Sequence, residues 1–134
     1  MTKITEIEGI GGSQAGKLED LGITTLEALL EAGSTPKGRK TLADETGISG
    51  KLILKWVNRA DLFRISGIGE EYADLLEMAG VDTIPELAQR NAANLHVSLV
   101  KINEDKNLVR RLPGESDVKS WVVQAKELPR VIAY

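Results

Sequence analysis

Apolar residues along this chain recur at intervals of three and four, the spacing of a helix face, and not at two. Leu52, Ile53, Trp56, Val57 and Ala60 mark one such face and predict a helix over residues 50–61, capped by Ser49. The same reading predicts helices over 12–21, 70–79, 94–104 and 117–127. Gly22 and Gly80 stand where a left-handed residue closes a helix. Thr25 and Thr83 then read as N-caps of short helices, with Pro85 tolerated in a first turn, and Thr35-Pro36 opens another in the same way. The β-branched residues never alternate over a useful length, so no strand is expected.

The pattern repeats. At an offset of 58, residues 7–33 and 65–91 share ten identities, among them Ala15/Ala73, Leu18/Leu76, Glu19/Glu77 and Leu29/Leu87. At an offset of 65, Trp56-Val57-x-x-Ala60 returns as Trp121-Val122-x-x-Ala125. The change of offset places about seven extra residues in the second copy, within "NLHVSLVKINEDKNLVRR". Two related units follow, 1–62 and 63–134, the second carrying the apolar C-terminal stretch "LPRVIAY".

Each unit opens on one loop, Ile7-x-Gly9-Ile10-Gly11-x-x-x-Ala15-x-x-Leu18 and Ile65-x-Gly67-Ile68-Gly69-x-x-x-Ala73-x-x-Leu76. The first glycine takes backbone angles closed to other residues, and the isoleucine plugs the space between two helices. The second glycine leaves the next helix's amides uncovered. This pattern resembles the helix-hairpin-helix motif, in which loop amides and a helix N-terminus hold a DNA phosphate without reading sequence. In some members of that family the loop carbonyls also hold a monovalent cation. Two weaker copies, "TGISGKLILKW" (46–56) and "LVRRLPGESDVKSW" (108–121), raise the count to four hairpins, arranged as two pairs. The expected fold is therefore all-α, two related helix-hairpin-helix units packed together.

Over nearly its whole length the chain also resembles the bacterial family called domain of unknown function 4332. The resemblance is carried by "TLADETGIS", "LKWVNRADLFRISGIG", "YADLLEMAGVDT", "ELAQRN", "LVRRLP" and "WVVQAKELPRVI". It implies a tandem helix-hairpin-helix fold and no established activity.

Charge changes the picture. The net charge is −3; residues 1–61 hold 8 Lys/Arg against 9 Asp/Glu, and residues 62–134 hold 9 against 11. Neither half is basic overall, so binding to nucleic acid has to come from local patches. The first loop runs on through Gly12, Ser13 and Lys17, with nothing to repel an anion. The second runs into Glu70 and Glu71, with Asp74 and Glu77 on the same helix, so Gly67, Ile68 and Gly69 read as structural only. Lys51, Lys55 and Arg59 form a basic stripe at i, i+4 and i+8. Lys37, Arg39 and Lys40 form another cluster, and Arg110, Arg111, Lys119 and Lys126 a third. A charge run is ordinarily a solvated helix face, the competing reading for each of them.

Trp56 and Trp121 are expected in the core, since their neighbours share the apolar period. The chain has no cysteine, and His96 stands without a second histidine or an acid at ligand spacing, so no metal or other cofactor is expected. No run is long enough to cross a membrane and no signal peptide is visible, so a cytoplasmic location is expected. The segment G-I-G-G-S-Q-A-G-K lacks the ending of a phosphate-binding P-loop, since Leu18 follows Lys17. Neighbouring acids on a helix diverge by about 100° and do not bracket a substrate. A non-enzymatic module is expected, binding DNA backbone weakly through Gly9, Ile10, Gly11, Gly12, Ser13, Lys17, Lys51, Lys55 and Arg59. The alternative is a protein-interaction or assembly module in which the hairpins are scaffold, favoured by the acidic balance and the apolar tail.

Overall fold

The computed structural model describes residues 3–7 and 10–134. Among the described residues the fold is all-α, with a single isolated bridge between Lys3 and Thr25 and no strand. The chain divides into two compact units, Met1–Asp61 with Arg130–Tyr134, and Leu62–Pro129.

In the first unit a 3-10 turn, Ile4–Glu6, precedes α1 (Gly12–Glu19), α2 (Leu26–Ala32), α3 (Pro36–Thr46) and α4 (Gly50–Leu62), the last residue of which falls in the second unit. The caps at Thr25 and Thr35 are those the sequence suggests. Ala28 N–H donates to Thr25 Oγ1 at 3.1 Å, and Gly38 N–H to Thr35 Oγ1 at 3.0 Å. Helix α1 stops two residues earlier than its apolar pattern implies. Leu21 and Gly22 donate three residues back, to Leu18 and Glu19, and Ile23 N–H returns to Leu18 O at 3.0 Å. Ile4, Leu18, Leu29, Ile53 and Trp56 are among the residues this unit buries most completely.

In the second unit α5 (Glu70–Met78), α6 (Ile84–Ala88), α7 (Ala92–Lys106) and α8 (Glu115–Glu127) follow in order. Thr83 Oγ1 caps α6 by accepting from Glu86 N–H (3.2 Å), and Val81 N–H returns to Leu76 O (2.9 Å), as Ile23 does to Leu18. Gly22 and Gly80 both close their helices at positive φ, +83° and +86°. Helix α7 begins at Ala92 rather than 94, because the cap is Asn91, whose Oδ1 accepts from Asn94 N–H (3.0 Å). Helix α8 begins at Glu115 rather than 117, because Asp117 is the third residue of the turn and accepts from Gly114 N–H through Oδ2 (2.9 Å). Part of the extra length is now visible: α7 has 15 residues where α3 has 11. The core of this unit runs from Leu62, Ile65 and Ile68 through Leu75, Leu76 and Leu87 to Leu95, Leu99, Val118 and Trp121.

The sequence boundary assigned the tail to the second unit; the contacts assign its last five residues to the first. Ile132 is buried, Ala133 N–H donates to Ser34 O at 2.7 Å, and Tyr134 Oη pairs with Asn58 Oδ1 at 2.6 Å. Arg39 secures the segment. It is itself buried and donates through Nη1 to Gly33 O (2.9 Å) and through Nη2 to Ala133 O (2.8 Å). A guanidinium can satisfy two carbonyls at once because its donors are set in a rigid fork.

Candidate functional site

Gly9 lies outside the described residues. Of the rest of the first loop, Ile10 is buried, as a plug between helices should be, while Gly11, Gly12 and Ser13 are exposed. Gly11 is the N-cap of α1 in an extended conformation (φ −77°, ψ 166°), and no side chain caps the helix there. The first turn of α1 carries no acid, and a β-carbon added at Gly11 or Gly12 would meet nothing within 4 Å. These glycines are therefore required neither by strain nor by crowding from the described residues. The uncapped amides of an eight-residue helix are left facing open space, with the positive end of the helix dipole behind them. Lys17 is exposed in the last turn of the same helix.

The second loop shares the shape and reverses the chemistry. Gly69 is again an extended N-cap without a side-chain cap, and its β-carbon position is also open. Glu70 and Glu71 fill the first turn behind it. Carboxylates suit a helix N-terminus and repel an arriving phosphate. This loop is also held down from inside. Gly67 has φ +98°, and a β-carbon there would stand 2.9 Å from the indole nitrogen of Trp121. Gln124 grips both backbone groups of Ser66, accepting from its N–H (2.9 Å) and donating to its carbonyl (3.2 Å). Sequence reasoning missed Gln124. The signal lay at the offset of 65, where Gln124 falls opposite Arg59.

That correspondence bears on the basic stripe. Lys51 and Lys55 are exposed, but Arg59 is only 6% exposed, and neither Lys55 nor Arg59 is free of partners. Arg59 is thus removed from the surface stripe, for two reasons. Each step of four residues advances about 40° round a helix, so Arg59 has rotated well away from Lys51. Moreover, every residue from Trp56 to Leu62 is buried, polar ones included. Arg39 leaves the second cluster for the structural role described above, and Lys37 and Lys40 remain exposed. Arg110, Arg111, Lys119 and Lys126 are all exposed.

Both tryptophans are in the core, Trp56 with its Nε1 buried and unpaired. His96 Nε2 lies 3.1 Å from Pro113 O, which ties α7 to the turn before α8. Among the described residues no group of three His, Asp or Glu side chains is placed to hold a metal ion, and no helix is long and apolar enough to cross a membrane.

No curated protein and no solved structure matches the chain. A family model does, over residues 8–128, which takes in both loops and all eight helices apart from the 3-10 turn. Its description is "Domain of unknown function (DUF4332)", and with nine-tenths of its length matched the chain belongs to that family.

Proposed function

We propose that this protein is a non-enzymatic, helix-hairpin-helix module of two tandem units that binds nucleic-acid backbone weakly and without sequence preference. The first loop is the contact point. The observation that carries this reading is the exposed, uncapped and acid-free N-terminus of α1, where two glycines leave open space that folding does not require. Amides near Gly11–Ser13 meet a phosphate oxygen, and the exposed Lys17, Lys51 and Lys55 neutralise neighbouring phosphates. The second loop serves as scaffold.

The rival reading, a protein-interaction module, retains the exposed side chains Val97, Leu108, Leu112 and Val123 in its favour. In the tail Ile132 is buried within the first unit, while Val131 and Tyr134 are exposed.

The test is fluorescence anisotropy of labelled single-stranded, duplex and branched DNA at low and near-physiological salt. Affinity is expected to fall steeply with salt, and to fall roughly tenfold in Gly11→Asp and again in Lys51→Glu/Lys55→Glu. Aspartate is a good N-cap, so Gly11→Asp should fold at least as stably as the parent. Absence of binding at low salt, with the fold intact, would leave the protein-interaction reading in its place.

A further inference from the structure

Residues 130–134 are held by the first unit in the way a receptor holds a short peptide. Three consecutive positions are recognised by three different means. The Ile132 side chain is buried, while its neighbours Val131 and Ala133 are exposed. Both backbone groups of Ala133 are taken, its N–H by Ser34 O (2.7 Å) and its carbonyl by Arg39 Nη2 (2.8 Å). The Tyr134 hydroxyl donates to Asn58 Oδ1 (2.6 Å). Main-chain hydrogen bonds supply affinity and a buried side chain supplies specificity, the division found where extended peptides are captured.

The receiving groups are positioned without help from the tail. Ser34, Arg39 and Asn58 lie on the turn between α2 and α3, on α3 and on α4. Close packing fixes the turn, since a β-carbon at Gly33 would collide with Val57 Cγ2 and one at Gly38 with Ala32 O. Ser34 Oγ donates to Glu31 O (3.0 Å) and Thr35 caps α3, so the Ser34 carbonyl is held in place. Arg39 donates through Nη1 to Gly33 O (2.9 Å), and its rigid fork then directs Nη2 at the Ala133 carbonyl. The incoming segment is shaped by its own side chain. Arg130 donates through Nε to Ile132 O (3.2 Å), and its guanidinium lies 5.5 Å from the centroid of the Tyr134 ring.

None of these contacts depends on which copy of the chain supplies the segment. Only Leu128 and Pro129 separate it from α8, and Leu128 has the extended angles (φ −70°, ψ 132°) that a following proline favours. Two copies that exchanged residues 130–134 would keep every bond described above, opposed only by the freedom lost on association. We infer that the first unit is a receptor for this segment in trans as well as in cis, and that two copies of the chain associate by exchanging residues 130–134. The occupant is a second copy because the segment seen to fit is this chain's own. A short tether acts as a local concentration on the order of millimolar, so exchange sets in as the protein approaches that range. DNA binding by the first loop is neither required for this association nor opposed to it.

The test is sedimentation equilibrium of the full chain from micromolar to millimolar protein. The mean mass of the wild type should rise toward that of two chains, and that of Ile132→Asp should stay at one. A fluorescein-labelled peptide with the sequence of residues 128–134 should, in excess, dissolve the wild-type dimer. It should also bind the Ile132→Asp chain saturably, and the dilute wild type about tenfold more weakly, because there the chain's own tail competes. Tyrosine replaced by phenylalanine in the peptide, where folding is not at stake, should weaken binding roughly fivefold. The wild-type measurements decide the matter even if Ile132→Asp fails to fold. A wild-type mass that stays at one chain into the millimolar range overturns the exchange, and peptide binding in that case assigns the site to another protein's segment. A dimer that excess peptide leaves intact overturns it as well.

Discussion

The two Gly-Ile-Gly loops differ in what their glycines are for. At Gly67 the backbone is left-handed and an indole fills the space a side chain would need. At Gly11 the backbone is ordinary and the space is empty. Gly69 is as open as Gly11, but it leads into two carboxylates. A motif matched letter for letter is thus divided between packing and access, and only the residues around each glycine tell which applies. The helix N-terminus is the same physical device in both loops. It is neutralised from within in one and left to the solvent in the other.

That contrast can be broken at four points. The largest effect is expected from Trp121→Ala, which removes the side chain on which the second loop rests and should cost about 3–5 kcal/mol in a denaturant titration. A cost well under that would mean the second loop is not anchored by this ring. Next, Gly67→Ala forces a side chain into left-handed angles and against the indole, at roughly 1–3 kcal/mol. Thermal melts of this variant alongside Gly69→Ala, expected within about 0.5 kcal/mol of the parent, would collapse the distinction if the two came out alike. Glu71→Ser gives the exposed first turn of α5 the residue found in the first loop. The change should cost about 0.3–1 kcal/mol of helix stability through the lost dipole interaction, while raising DNA affinity in the anisotropy assay. An affinity that fell would show the acids to be irrelevant to the loops' difference. The smallest effect belongs to Gly12→Ala, where open space and a helical conformation predict a gain of about 0.4–1 kcal/mol.

Much of the fold was legible because it is local. Thr25, Thr35 and Thr83 cap where a hydroxyl before an apolar run should cap, and Gly22 and Gly80 close helices for steric reasons that a sequence displays. The start of α7 was misplaced by two residues, and the hydrogen bond from Asn94 N–H to Asn91 Oδ1 shows where the cap lies. The candidate site was less legible. Arg39 and Arg59 look in sequence like any surface cation, since nothing local records that Gly33 and Ala133 present carbonyls to one, or that the second half of α4 is enclosed. The grip of Gln124 on Ser66 spans 58 residues and leaves no short-range trace.

The docking of residues 130–134 onto the first unit has a consequence for the order of assembly. Arg39 and Asn58 find their partners 94 and 76 residues later in the chain. During synthesis residues 1–61 emerge ahead of the second unit, yet the first unit lacks the Ile132 side chain and the Ala133 carbonyl until residues 62–129 have been made. The unit that begins first is thus completed only after the other has been translated.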